Sequence, residues 1–360
     1  MDIIFFLGGL VLLVVGAEIL VKGASRLALS LGLSPLVVGL TVVAFGTSAP
    51  EVAVSVGAVL GGQTDIAVGN VVGSNIFNVL FILGVSALVT PLIVNRQVIR
   101  QEVPIMVGVS ALLLIMLRDR VIGLAEAALL LALLVGYTAF LVVQSWRANR
   151  RVPGEGPAEG TVVGGSIGSG SRLAQAAMIL GGLACLVAGS RLLVTAAVSF
   201  AMALGVSDLI VGLTIVAAGT SLPEVATSIT AAVRGNRDIA VGNVVGSNVF
   251  NILGCLGLSG LAAGGTGITV APSILAFDAW VMLATAVACL PIFLTGREIA
   301  RWEGAVFVAY YVFYVGYLIL AAEQHDALET YTRAMTTFVV PLTLLTAGVI
   351  YAGSRKLRRG

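Results

Sequence analysis

Residues 39–84 and 212–257 are one segment written twice. At an offset of 173 positions, 31 of their 46 residues are identical. The first copy reads GLTVVAFGTSAPEVAVSVGAVLGGQTDIAVGNVVGSNIFNVLFILG, and the second GLTIVAAGTSLPEVATSITAAVRGNRDIAVGNVVGSNVFNILGCLG. Self-similarity of this quality means one unit built twice, so any fold for the chain must be divisible in two. The likeness continues weakly on both sides. LVKGASRLALSLGLSPLVVG echoes LVTAAVSFAMALGVSDLIVG, and Glu126 and Glu303 open comparable apolar segments.

Those segments are too apolar for a soluble domain. The chain is 58% hydrophobic and 11% charged, against about 25% charged in soluble proteins. Apolar runs long enough to cross a bilayer recur throughout. Spans are expected near 3–30, 34–60, 66–90, 103–117, 121–144, 173–203, 207–233, 239–263, 273–295 and 303–322, with an eleventh at 337–353. The first run lacks a basic leader and is too long for a cleaved signal, so it reads as a span. Residues 147–172, rich in Gly, Pro, Ser and Arg, read as a flexible loop between halves.

Each copy therefore holds five spans. An odd number makes the second copy enter the membrane from the opposite side, which is an inverted repeat. The expected fold is an all-α integral membrane protein of two inverted five-helix repeats, residues 1–146 and 173–322, with ten core transmembrane helices. Residues 323–360 form a C-terminal extension carrying the extra helix. With the N-terminus outside, 16 of the 20 Lys and Arg lie on the cytoplasmic side. That bias predicts a multi-pass protein of the cell membrane with the central loop and C-terminus cytoplasmic.

Polar residues inside such spans are costly, so the ones present carry information. Each copy has GTSxPE within an apolar run: Thr47, Ser48, Pro50 and Glu51, then Thr220, Ser221, Pro223 and Glu224. Proline cannot bond the carbonyl four residues back, so each helix must kink or open there. Thr, Ser and Glu at spacings of three and four share one helix face. The result is a cluster of hydroxyl, carbonyl and carboxylate oxygens, which are ligands for Ca²⁺ and Na⁺. A glutamate at mid-membrane costs roughly 2–3 kcal/mol, and two meeting there are neutralised by one divalent cation. The competing readings are a glutamate at a helix end and a proton-sharing pair without metal.

The following span of each copy carries GNVVGSNxFN. Asn70, Ser74 and Asn78, like Asn243, Ser247 and Asn251, recur every four residues on one face. Ser74, Asn78, Ser247 and Asn251 lie deep enough to serve ions. Asn70, Asn75, Asn243 and Asn248 fit packing equally well. Asp65 and Asp238 read as caps or interface residues, and Glu18, Asp278, Glu126 and Glu303 as structural. Cys185, Cys255 and Cys289 have no metal or disulfide spacing, and His325 lies in a polar stretch. No HExxH or GxGD pattern suggests an intramembrane hydrolase, so the chain is not expected to be an enzyme and needs no cofactor. A membrane scaffold leaves the paired carboxylates unexplained.

With GTSxPE and GNVVGSN both present in duplicate, the sequence resembles the cation/calcium exchanger superfamily, in its sodium/calcium exchanger branch of prokaryotic type. The resemblance runs to about residue 322. It implies that Glu51 and Glu224 bind Ca²⁺, helped by the carbonyls of Thr47 and Thr220. It also implies Na⁺ sites built from Ser48, Ser74, Ser221 and Ser247 and the carbonyls of Ala44 and Ala217. Asn78 and Asn251 fill the remaining central pair. Exchangers of this branch usually carry an aspartate at one of that pair, so the cage here has a formal charge of −2 rather than −3. The implied function is antiport of Ca²⁺ against Na⁺ by alternating access, with a divalent cation against H⁺ as the alternative.

Overall fold

A computed structural model describes residues 2–150, 172–203, 217–294, 296–325 and 327–339. The chain is almost wholly helical. Among the described residues, eight helices are long and apolar enough to cross a membrane. They are α1 (Asp2–Leu31), α4 (Thr64–Val89), α5 (Val98–Asp119), α6 (Leu124–Arg150), α7 (Arg172–Ala203), α9 (Arg237–Thr266), α10 (Ile274–Leu294) and α11 (Arg301–Ala322). A ninth span is a bent pair, α2 (Pro35–Thr47) and α3 (Ala49–Leu60), which meet at 43°. Its counterpart is described from the helical turn Ala217–Gly219 through α8 (Leu222–Val233). A short helix, α12 (Ala327–Ala334), follows α11.

These elements match nine of the expected spans closely. Residues 207–216 of the expected span 207–233 and most of the eleventh span at 337–353 lie outside the described residues. One boundary is corrected. Helix α6 continues to Arg150, so residues 147–150 are helix rather than loop. The stretch Trp146–Arg150 contains no Gly or Pro, and Arg and Ala are good helix formers.

Local chemistry sets the helix starts. Ser34 accepts from the Val37 N–H at 3.2 Å, and Pro35 follows in the first turn, where its missing N–H costs nothing. Glu126 accepts from the Gly123 N–H and Glu303 from the Ala300 N–H, both at 2.8 Å. These equivalent glutamates start α6 and α11 in the same way. Asp65 and Asp238 do not cap. The cap positions are Gln63 and Asn236, and each aspartate sits in the first turn, where negative charge suits the helix dipole. Asp238 is also held by the Asn95 side chain.

The helices are arranged with polar groups inward. Helices α4 and α9 form the centre, and α9 is buried along its apolar length. Lipid-directed faces carry Ile4, Leu7, Val135, Leu180 and Val312, all more than half exposed. Exposed apolar area on this scale belongs against hydrocarbon. Helices α1 and α7 pack glycine on glycine. A Cβ on Gly16 would lie 2.9 Å from the Gly182 carbonyl, and one on Gly189 would lie 2.8 Å from that of Gly9. Their backbones therefore touch with no side chain between them.

Four two-residue strands join the ends of the spans. They are β1 (Leu92–Ile93), β2 (Val121–Ile122), β3 (Ile268–Thr269) and β4 (Glu298–Ile299). β1 pairs antiparallel with β4, and β2 with β3. The segment between α4 and α5 thus joins the one between α10 and α11. The segment between α5 and α6 joins the one between α9 and α10.

Candidate cation site

Each copy of GTSxPE interrupts its helix at the serine. Ser48 sits at φ −81°, ψ 7° and Ser221 at φ −88°, ψ 6°, in the sparsely populated bridge region. Pro50 and Pro223 then fall in the first turns of α3 and α8. The spacing argument for a shared face assumes an unbroken helix; across the break, Thr47, Ser48 and Glu51 are all fully buried and meet partners from the second copy. Thr47 Oγ1 donates to Asn243 Oδ1 at 3.2 Å and lies 3.4 Å from the Ala44 carbonyl, while Ser48 reaches across to the other copy.

The crossing is reciprocal. Ser48 Oγ donates to Glu224 Oε1 at 2.9 Å, and Ser221 Oγ to Glu51 Oε1 at 2.8 Å. Thr47 also neighbours Glu224, and Thr220 neighbours Glu51. The structure thus brings both glutamates into one buried cluster, each held by the other copy's serine. From α4, Ser74 Oγ lies 3.3 Å from Ser221 Oγ. From α9, Ser247 and Asn251, four residues apart, are both fully buried. Both Asn78 and Asn251 begin wide π-turns, Asn78–Leu83 and Asn251–Leu256. Such turns occur often at functional sites.

Close helix approach makes this cluster. A Cβ on Gly39 would lie 3.1 Å from Ile239 Cα, one on Gly242 3.0 Å from the Leu36 carbonyl, and one on Gly246 2.6 Å from the Leu40 carbonyl. Glycines on both helices let α2 of the first copy lie directly on α9 of the second. Asn70 Nδ2 braces α3 through Ser55 Oγ at 3.0 Å and the Glu51 carbonyl at 3.3 Å. Asn243 Nδ2 braces α8 through Ser228 Oγ at 3.0 Å. These two asparagines hold helices, as the packing reading expects.

Five oxygens in the cluster are buried without a hydrogen-bond partner among the described residues: Glu51 Oε2, Glu224 Oε2, Asn78 Oδ1, Thr220 Oγ1 and Ser247 Oγ. Buried polar atoms almost always have a partner, so five together, two of them carboxylate oxygens, are suited to a cation. All are hard oxygens of the type that binds Ca²⁺, Na⁺ or a proton. Of the two expected carbonyl ligands, that of Ala44 accepts the Ser48 N–H at 3.0 Å with one lone pair, and Ala217 is the first residue of the turn Ala217–Gly219.

Some residues at or near the site were not singled out by sequence. Cys255 Sγ lies 3.6 Å from Asn251 Oδ1, and its place one turn after Asn251 is the signal that could have found it. Glu102 is buried and accepts from Gln97 Nε2 at 2.9 Å, Gln101 Nε2 at 2.6 Å and Tyr137 OH at 2.8 Å. Asp278 similarly accepts from Tyr314 OH at 2.9 Å. These acids bind α5 to α6 and α10 to α11, apart from the cluster. Glu18 pairs with Lys22 at 2.7 Å and Arg234 at 2.5 Å on the surface. His325 Nδ1 accepts the Ala327 N–H within an exposed turn.

The sequence profile of a family described as sodium/calcium exchanger protein matches residues 1–143 and 174–320. A putative antiporter, CaxA of Alkalimonas amylolytica, is 40% identical over 315 residues, covering 86% of this chain and 96% of that one. The sodium/calcium exchanger MaX1 of Methanosarcina acetivorans is 35% identical over 349 residues, covering 89% and 98%. Among solved structures, the sodium-calcium exchanger NCX_Mj, soaked with zero Na⁺ and Ca²⁺, superposes with a TM-score of 0.72 at 28% identity. That match covers 88% of this chain and 98% of the other.

Proposed function

Because the chain belongs to the sodium/calcium exchanger family of multi-pass membrane cation transporters, which are not enzymes, we propose that it carries Ca²⁺ in exchange for Na⁺ through the Glu51–Glu224 cluster. The observation that carries this reading is the set of buried oxygens lacking partners, with one carboxylate oxygen from each copy. In the proposal, Glu51 and Glu224 hold Ca²⁺ with the Thr47 and Thr220 carbonyls. Ser48, Ser74, Ser221, Ser247 and the Ala44 and Ala217 carbonyls serve Na⁺. Asn78 and Asn251 complete the cage with neutral oxygens.

The two halves are inverted relative to each other in this reading. The strand pairs support it. In a direct repeat, β1 and its counterpart β3 would emerge on one face of the membrane. Here β1 joins β4 and β2 joins β3, which suits segments from inverted halves meeting at common faces. Ten core spans, with the N-terminus outside and the central loop inside, also fit the distribution of Lys and Arg. An eleventh span at 337–353 leaves the basic tail inside. The halves alternate in opening the cage to either side. Occupied, its −2 charge is balanced, whereas an empty dianionic cage is too costly to move through a low-dielectric barrier. That difference enforces exchange.

The neutral pair Asn78 and Asn251 keeps H⁺ open as the counter-ion, with the glutamates as carriers. Proteoliposomes loaded with Na⁺ and diluted into Na⁺-free buffer should take up ⁴⁵Ca²⁺, and a pH gradient alone should drive little. Uptake driven only by the pH gradient would instead assign H⁺, and uptake under neither would refute the proposal. Ser48→Ala and Ser221→Ala remove oxygens assigned to Na⁺. Each should raise half-saturating Na⁺ about tenfold, and half-saturating Ca²⁺ by less. Equal shifts for the two ions would contradict the assignment of those serines.

A further inference from the structure

We infer that Asn75 and Asn248 are positioning residues that decide which end of the Asn78 and Asn251 amides faces the cation. This rests on the cluster being the transport site and specifies how that site acquires its neutral oxygens. An asparagine amide fills nearly the same space in either orientation, with oxygen or nitrogen inward. Only its hydrogen-bond partners set the choice. An oxygen facing the site attracts a cation, whereas an N–H repels it and competes for the carboxylates.

The choice is fixed by two backbone carbonyls. Asn75 Nδ2 donates to the Asn248 carbonyl at 3.1 Å, and Asn248 Nδ2 to the Asn75 carbonyl at 3.4 Å. A backbone carbonyl only accepts, so neither amide can be turned around. The second N–H of each meets a thioether: Met282 Sδ lies 3.7 Å from Asn75 Nδ2, and Met106 Sδ 3.4 Å from Asn248 Nδ2. Every donor is used. The Oδ1 of each must then accept, and it does. Asn251 Nδ2 donates to Asn75 Oδ1 at 3.1 Å, and Asn78 Nδ2 to Asn248 Oδ1 at 3.0 Å.

The polarity passes along each relay without ambiguity. Carbonyl fixes first amide, first amide fixes second, and the second is left with oxygen free. Among the described residues, Asn78 Oδ1 is buried and without a partner, while Asn251 Oδ1 meets the Cys255 thiol. Both relays cross between the copies, and all four asparagines are buried. Cys255 also supports the oxygen-in state of Asn251, because its S–H is placed to donate to Oδ1 at 3.6 Å. Ile82 stands at the equivalent place beside Asn78 and gives no such help. Asn78 therefore depends more heavily on its relay.

The test is a double-mutant cycle read by calorimetric Ca²⁺ binding to purified protein and by uptake. Asn248→Leu should weaken Ca²⁺ about tenfold while the maximal uptake rate changes little, because Asn78 is released to turn its N–H inward. Asn75→Leu should weaken it less, given Cys255. In an Asn78→Asp background both ends of the side chain are oxygen, and Asn248 Oδ1 opposes one of them. Asn248→Leu should then cost nothing or improve binding. A purely structural role predicts the same loss in both backgrounds, and that result would overturn the inference. Thermal melting screens each variant for folding. Should Asn248→Leu not fold, Met106→Leu releases one anchor of the same amide and should give a smaller loss that again disappears with Asn78→Asp. Glu51→Gln in the same assay separates the two levels: normal Ca²⁺ binding there would remove the site itself, whereas its loss beside an unaffected Asn248→Leu would remove only the relay.

Discussion

Glu51→Gln and Glu224→Gln each should abolish measurable Ca²⁺ uptake while leaving the protein folded. The substitution keeps shape and the serine contact but halves the charge of the cage. At an effective dielectric near 20, a unit charge about 4 Å from another contributes roughly 4 kcal/mol, which is about a thousandfold in affinity. The effect should be similar for the two residues, because each carboxylate has one oxygen on the other copy's serine and one without a partner. ⁴⁵Ca²⁺ uptake in proteoliposomes measures it. Glu329→Gln, an exposed acid paired with Arg333 at 2.9 Å, serves as control and should transport normally. Appreciable uptake by either cluster variant would mean that Ca²⁺ is carried elsewhere.

Gly246→Ala should be the most damaging methyl group that can be added near the cluster. Its Cβ would lie 2.6 Å from the Leu40 carbonyl, 2.7 Å from Leu40 Cα and 2.9 Å from Ala44 Cβ. Two of these atoms are backbone, so no side chain can swing aside. Helix α2 must move off α9, taking Thr47 and Ser48 away from Asn243 and Glu224. Overpacking typically costs about 1–3 kcal/mol, so the apparent melting temperature should fall by roughly 5 °C or more, and uptake should fall with it. Gly181→Ala adds the same group where nothing lies within 4 Å. It should be neutral or slightly stabilising. An unchanged melting point for Gly246→Ala would contradict the close crossing of α2 and α9.

The parts of this protein legible in sequence are those with their own local signal. Spans announce themselves by length and apolarity, and the glutamates by being acids where acids are costly. Duplication did the rest, because it made Glu51 and Glu224 equivalent before any geometry was known. Four features stayed hidden for different reasons. Ser48 and Ser221 carry no mark that each serves the other copy's glutamate, since that depends on a break whose direction proline alone does not set. Leu92–Ile93 and its fellow strands are two residues long and show no alternation. Asn75 and Asn248 fit packing and ion binding equally well in sequence, because their importance lies in the order of a hydrogen-bond chain. Glu102, near the start of an apolar span, looks like any acid at a membrane boundary. Its triple hydrogen bonding depends on Gln97, Gln101 and a tyrosine from a different helix.

The reciprocity of the serine–glutamate pairs bears on how the protein can be assembled and divided. Neither half contains a finished cage. Residues 1–146 alone would leave Glu51 without its hydroxyl and Ser48 without its carboxylate, and residues 173–322 would fail in mirror fashion. Yet what each half lacks is what the other supplies, residue type for residue type. Two separately expressed halves should therefore reassemble when mixed, and co-purification of the pair, lost on Ser48→Ala with Ser221→Ala, measures how far these contacts carry recognition.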